Sequence, residues 1–204
     1  METVRNHTEL MLTRRGYTIG EFMDTDEEGV PSKKPRLIVT KPDNTKAIVF
    51  FVHKKSKTDK VTINVVKAII SMAKEITHIL IIHDTVLTSD AKQNITNSSD
   101  KVIALYQFET FTFDELSYDL LDIQRYPPNI TFVKPRNAAT ERSSTGGGAA
   151  TERLRSACDS VAKMPILLSS DPLARYMRIR PGDIVLGRFG DEMITIRRCI
   201  SATK

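Results

Sequence analysis

Residues 164–200 read MPILLSSDPLARYMRIRPGDIVLGRFGDEMITIRRCI, and the local chemistry of this run defines a small unit. Ile166-Leu167-Leu168 is a short apolar run with the length of a buried strand. Asp171-Pro172 opens a helical turn: Asp suits the N-cap, and Pro fits the first helical position because its missing N–H is not needed there. Leu173 to Tyr176 continues that turn. Arg180-Pro181-Gly182-Asp183 is a turn, with Pro presetting φ and Gly accepting a positive φ. Ile184-Val185-Leu186 and Met193 to Ile196 are β-type runs separated by Phe189-Gly190-Asp191-Glu192, which predicts a hairpin.

The stretch DPLARYMRIRPGDIVLGR resembles the signature of the fifth subunit shared by eukaryotic DNA-directed RNA polymerases, a family that includes a shorter archaeal counterpart. The family pattern falls on Asp171, Pro172, Arg175, Tyr176, Gly182, Ile184, Val185, Arg188 and Arg197. The hairpin connection is shorter here than in the family, and Ile196 stands where the family has Tyr before the last Arg. The resemblance implies a C-terminal α+β assembly domain that docks on the largest polymerase subunit. Its interface residues would be Asp171, Pro172, Arg175, Tyr176, Pro181, Gly182, Arg188 and Arg197. Arginine suits such a role because its planar fork makes directional, bidentate hydrogen bonds. Tyr176 reads equally well as a core aromatic of the small domain.

Moving outward, Thr3 to Arg14 places Val4, Leu10, Met11 and Leu12 among polar residues, an amphipathic helix that Gly16 ends. Residues 23–35 read as a loop, acidic at Asp24, Asp26, Glu27 and Glu28, then basic at Lys33 and Lys34. Leu37-Ile38-Val39 and Ala47 to Val52 are strands joined through Lys41 to Thr45. The second is continuously apolar and should be buried on both faces. Lys54, Lys55, Lys57 and Lys60 cluster in a loop that reads either as a phosphate-facing patch or, by a slight preference, as a solvated connector. Val61 to Lys74 has helical spacing at Val61, Val65, Ile69 and Met72. Thr77 to Ile82 is a β-run, Ser89-Asp90 caps a helix through Ala91-Lys92-Gln93, and Val102 to Tyr106 is expected to be the next strand. That alternation argues for an α/β layer domain.

This half resembles the N-terminal jaw domain of the same family, which the eukaryotic subunit carries. Arg14-Arg15-Gly16-Tyr17, the run AIVFFVHK at 47–54 and the run LTSDAKQNI at 87–95 match its segments. The family's motif between the domains is missing, and Tyr118 to Asp122 stands in its place. The implied fold is an inactive, restriction-nuclease-like α/β jaw lying near downstream duplex DNA. Thr88 and Ser89 at a helix N-terminus, with Lys92 one turn later, would be the DNA-proximal residues. Asp90 in the same turn opposes an anion, so proximity is expected, not tight binding.

The expected organisation is a jaw domain over 1–126, a flexible linker over 127–150 and the assembly domain over 151–204. Pro127-Pro128 and Pro135 mark the boundary, and Gly146-Gly147-Gly148 follows. Ala-Ala-Thr-Glu-Arg occurs at 138–142 and again at 149–153, a linker duplication. A helix through Leu154, Ala157 and Val161 is expected to pack on the C-terminal sheet. Divergence of the interdomain motif, hairpin and linker suggests the copy of a large DNA virus that transcribes in the host cytoplasm and carries the protein in the virion. A cellular nuclear subunit is the alternative.

At 204 residues the chain fits one domain or two small ones. It holds no long uncharged apolar run and no apolar N-terminal segment, so neither a membrane span nor a signal peptide is expected. Cys158 and Cys199 read as two free intracellular thiols. The net charge of +5 permits a nucleic-acid neighbour and equally fits a mildly basic solvated surface. No catalytic residue, metal ligand set or cofactor motif is expected. His83-Asp84 neighbours alternate on a strand, which argues against a triad. His78 and His83 are spaced to diverge, and no Cys-x-x-Cys exists.

The rival reading is a metal-dependent nuclease. Pro42-Asp43, followed by a strand ending in His53-Lys54, is similar to the core of restriction-type nucleases. That chemistry needs a second carboxylate beside the first to hold Mg²⁺, and Val52 stands at its position.

Overall fold

The computed structural model describes residues 2–25, 31–53, 60–73, 75–122, 164–189 and 193–201. The chain divides into two units, Met1–Tyr118 and Asp119–Lys204. The proline boundary, the glycine linker, both Ala-Ala-Thr-Glu-Arg copies, the helix expected through Leu154, Lys54, Lys55 and Lys57 lie outside the described residues.

The first unit begins with helix α1 (Glu2–Arg14), whose buried Val4, Thr8, Met11 and Leu12 recur at helical spacing. The helix closes with paired capping bonds. Gly16 N–H donates to Thr13 O at 2.9 Å and Tyr17 N–H to Leu12 O at 3.0 Å. That geometry requires a left-handed residue after the last turn, and Gly16 supplies it at φ +81°.

Strands β1 (Thr18–Thr25) and β2 (Pro31–Thr40) follow. They replace the loop expected over 23–35 at both its ends: residues 23–25 belong to β1 and 31–35 to β2, and residues 26–30 lie outside the described residues. Polar and charged residues there leave no apolar run to read, although the backbones of β1 and β2 pair. β3 (Lys46–Val52) runs antiparallel to β2, and Asn44 takes the left-handed position in the turn between them.

Helix α2 (Ile63–Ala73) then crosses to β5 (His78–His83), which is parallel to β3. The helix starts later than its apolar spacing suggests. Val61 belongs to β4 (Lys60–Val61), which pairs in parallel with β6 (Val86–Leu87). After α3 (Ser89–Thr96) comes β7 (Gln107–Thr112), parallel to β5. The strand expected over 102–106 is instead a single 3₁₀ turn at Ile103–Leu105. Ile103 plugs the core while Val102 and Leu105 stand in water, so the apolar run marks the approach to the strand.

The five-stranded order is β1-β2-β3-β5-β7. β3 is buried from Ala47 to Phe51, and β5 along its whole length. Successive side chains serve opposite faces. Phe50 joins Ile48, Ile79, Ile81, Val66 and Ile69 on one face. Phe51 meets Phe22 edge-on at 6.0 Å on the other, and the Arg5 guanidinium of α1 covers Phe22 at 4.0 Å. Each fully buried ring, such as Phe50 or Phe51, is worth about 2–3 kcal/mol of transfer free energy. The first unit is therefore an α/β layer with helices on both faces.

The second unit holds β8 (Ile166–Leu168), helix α4 (Pro172–Tyr176) and the hairpin β9 (Ile184–Phe189) and β10 (Met193–Ile200). β10 is central, antiparallel to β9 and parallel to β8. Leu167, Ala174, Ile179, Val185 and Cys199 form the core between α4 and one face of this sheet. Strand, capped turn, glycine turn and hairpin follow in the order the sequence dictates.

Candidate assembly site

Asp171 is the N-cap of α4. Its Oδ1 accepts from Leu173 N–H at 2.8 Å, and Pro172 occupies the first turn. Both residues form the start of the helix. The helix ends at Tyr176 with Met177 as its C-cap, and Arg178 follows at φ +55°, with Ile179 N–H donating to Ala174 O at 2.7 Å. That pairing folds Ile179 back onto Ala174 in the core. The sequence offers no glycine to announce this turn.

Tyr176 is 2% exposed, and its hydroxyl donates to Asp119 Oδ1 at 3.4 Å. Of its two readings, the core aromatic is the one realised in the free chain. Asp119 Oδ1 also accepts from Leu121 N–H at 3.1 Å. Asp119 lies in the stretch that departs from the family, so no motif drew attention to it.

The turn before the hairpin is built from both of its ends. Arg180 N–H donates to Asp183 Oδ2 at 2.8 Å, and Gly182 sits at φ +95°. Gly182 N–H donates to Cys199 O at 2.9 Å, and Cys199 N–H to Asp183 O at 2.7 Å. Pro181 and Gly182 are both exposed at the tip. Burial pushes the Cys199 thiol up, and the Asp183 and Asp171 carboxylates push it further.

The three arginines do not form one patch. Arg175 is half-buried on α4, and Arg197 is exposed on β10 opposite Val185. Arg188 pairs with Ile194 in the ladder. Positions 185 and 188 are an odd number of residues apart, so the Arg188 and Arg197 positions fall on opposite faces. The side chain of Arg188 lies outside the described atoms. A fourth arginine, Arg198, was not singled out by the sequence, and its Nε is buried with no hydrogen-bond partner among the described residues.

In the first unit, the N-cap of α3 is Thr88, one residue before the expected Ser89. Thr88 Oγ1 accepts from Ala91 N–H at 3.3 Å and donates to Val61 O at 3.3 Å. Ser89 and Lys92 stand in the first turn, with Asp90 beside them. Thr88 therefore organises the turn and is half-buried, while Ser89 and Lys92 are exposed.

A polar pair that sequence reasoning missed joins the ends of β3 and β5. His53 Nδ1 lies 3.1 Å from Asp84 Oδ2, and Phe113 meets the imidazole edge-on at 4.7 Å. Only the parallel register brings these residues together. His78 and His83 diverge as their spacing requires. His78 reaches Tyr17 and Glu109, whereas His83 Nδ1 meets Thr85 O.

Asp43 lies in the β2–β3 turn, where its Oδ1 accepts from Thr45 N–H at 2.9 Å. The Thr45 hydroxyl and backbone N–H hold its carboxyl below the usual range. β3 separates Asp43 from His53, and a strand rises ~3.3 Å per residue. The two sites are thus at opposite ends of the sheet, and Asp43 cannot share a metal with the His53 end. Among the described residues, no group of three or more His, Cys, Asp or Glu side chains is placed to hold a metal ion. Among the described residues, no helix is long and apolar enough to cross a membrane.

No family model and no curated protein matches the chain. Solved structures are similar to part of it, among them two nucleases. The apo form of EndoMS has a TM-score of 0.33 at 12% identity, covering 53% of this chain and 45% of that one. The MspJI restriction endonuclease, in complex with a 27-mer oligonucleotide, has a TM-score of 0.33 at 14% identity, covering 55% of this chain and 27% of that one. The chain thus spans less than half the length of either neighbour.

Proposed function

We propose that this chain is a non-catalytic subunit of a multisubunit DNA-directed RNA polymerase. Its C-terminal unit assembles on the largest subunit, and its N-terminal unit lies near downstream duplex DNA. The observation that carries this reading is the continuity between motif and structure at 166–200. Each residue of the family-like signature with a local structural job does that job: Asp171 caps, Pro172 starts, Gly182 turns, and Ile184 and Val185 open the hairpin. A unit so densely fixed from within presents a rigid surface, which lowers the ordering cost of binding.

Within the five-stranded sheet of the first unit, β1, β2 and β3 run antiparallel after α1 and β5 follows α2 parallel to β3, an order that supports a restriction-nuclease-like jaw. The position of Asp43, at the opposite end of β3 from His53, supports this reading over the nuclease rival. The DNA-facing role falls to Ser89 and Lys92, as neighbours of a phosphate backbone.

The test is incorporation of the Arg197→Glu chain into the polymerase. Arg197 is exposed, so reversing its charge leaves the fold intact. Reduced incorporation supports the reading, and unchanged stoichiometry counts against Arg197 as a contact.

A further inference from the structure

One face of the five-stranded sheet carries a row of polar groups inside the first unit. The ladder register aligns Ala47, His78 and Gln107 across β3, β5 and β7. Val49, Leu80 and Glu109 align two residues further on, so they share that face. Phe51 belongs to the same face, where Arg5 of α1 covers its neighbour Phe22.

Two residues at the end of α1 come down onto these rows. The Tyr17 hydroxyl lies 3.0 Å from His78 Nδ1, and the Arg15 guanidinium lies 2.9 Å from Glu109 Oε2 as an ion pair. Glu109 Oε1 lies 2.8 Å from His78 Nε2. His78 is 4% exposed and Tyr17 3%. Lys41, from the β2–β3 turn, stands 4.8 Å from the centre of the Tyr17 ring.

Counting hydrogens fixes the imidazole. Arg15 beside one oxygen favours the ionised Glu109 carboxylate, which can only accept. Nε2 therefore carries the proton that meets Glu109. A neutral imidazole has one N–H, so Nδ1 is the acceptor and the Tyr17 O–H donates to it. A second proton, on Nδ1, would face the hydroxyl hydrogen and turn it off its acceptor. It would also set a second buried cation on a carboxylate already paired with Arg15, with Lys41 on the far side of the Tyr17 ring system. The attraction of Glu109 for an imidazolium opposes this, but Arg15 has already balanced that charge.

We propose that His78 is an acid-operated latch: its neutral imidazole holds the end of α1 to the sheet, and protonation of the opened site keeps that end released. The sign follows from linkage. The folded chain takes up the Nδ1 proton less readily than the unfolded chain, whose imidazole titrates at ~6.5. The latch is at full strength above that value and weakens as pH falls below it. Opening frees Tyr17, whose N–H donates to Leu12 O at 3.0 Å and closes the helix. The latch is a property of the chain itself and does not rest on the polymerase reading.

The test uses the full-length chain from about pH 7.5 to about pH 5, the range over which histidine changes charge. Proton–nitrogen correlation spectra of the imidazole read the tautomer and charge of His78. The expected form is neutral Nε2–H wherever the fold is intact. Exchange of the Tyr17 amide, corrected for its intrinsic pH dependence, is expected to speed up by about tenfold for each pH unit below ~6.5. His78→Gln removes the titrating group and should abolish that acceleration; a variant that folds and keeps it overturns the proposal. An Nδ1–H tautomer, or an imidazolium in the folded chain at pH ~6.5, also overturns it. So does a wild-type Tyr17 amide whose corrected exchange is the same at every pH. The wild-type tautomer and exchange decide the matter whether or not the variant folds.

Discussion

The Tyr176 hydroxyl donates to Asp119 Oδ1 at 3.4 Å, across 57 positions of the sequence. This bond ties the first residue of the second unit to the end of α4. The motif tyrosine therefore acts from inside, holding the helix that carries Arg175 against the segment entering the unit.

Tyr176→Phe keeps the ring and removes the hydroxyl. The bond is long, so the expected cost is at most about 1 kcal/mol. Tyr176→Ala empties a buried aromatic site and should cost roughly 3–5 kcal/mol. Urea denaturation of the two variants checks the order, and a Phe variant as damaged as the Ala variant would contradict it.

Gly20 sits in β1 at a register shift between Ile19 and Phe22. A Cβ there would lie 2.4 Å from the Ile38 carbonyl oxygen, whereas one at Gly16 meets nothing within 4 Å. Gly20→Ala must push two backbones apart, at about 1–3 kcal/mol. Gly16→Ala meets only the left-handed φ, at about 1–2 kcal/mol. Thermal melts of both variants, with amide exchange along β1 and β2, should show ladder opening for Gly20→Ala alone.

A buried polar chain crosses the first unit. Arg15 Nη1 lies 2.9 Å from Glu109 Oε2, with the Arg15 side chain 2% exposed. Glu109 Oε1 lies 2.8 Å from His78 Nε2, and His78 Nδ1 lies 3.0 Å from the Tyr17 hydroxyl. Glu109→Gln removes the anion beside the buried Arg15 guanidinium, at a cost of roughly 3–5 kcal/mol. Glu109→Gln with Arg15→Met should recover part of that loss. A double-mutant cycle on unfolding free energy measures the coupling.

The two displaced titrations give opposite pH slopes. Cys199 has a raised pKa in the folded chain, so over the window above the ordinary thiol value the unfolded state loses its proton first. Its contribution is whole below that window and fades as pH rises through it. The thiol should also react slowly with a thiol reagent near pH ~8 until urea exposes it. Asp43 has a lowered pKa, so its small contribution is present above the ordinary carboxylate value and fades as pH falls. Asp43→Ala should loosen only the β2–β3 turn, read as faster exchange at Asn44 and Thr45.

The two units were legible in different degrees. In the second, each turn carries its own chemical marker, such as Asp171 before Pro172, or Gly182 after Pro181. Arg178 breaks that pattern by taking a left-handed position with no marker. In the first unit, β3, β5 and α2 announce themselves by apolar runs. β1 and the start of β2 hide behind charges, because an edge strand needs paired backbone and not a buried face. The 3₁₀ turn at Ile103 reads as a strand because one plug residue and two exposed neighbours share its apolar composition. Contacts between distant positions, such as His53 with Asp84, depend on ladder register, which no single segment encodes. The same register separates Arg188 from Arg197, two residues that look like partners on the written line.

The most direct test of the polymerase-subunit role is native mass spectrometry of complexes purified through a tag on the full-length chain. The expected result is one copy of the chain in a particle that contains the largest polymerase subunits. A free monomer from cells that contain the assembled polymerase, with Mg²⁺-dependent DNA cleavage in the same fraction, would contradict it.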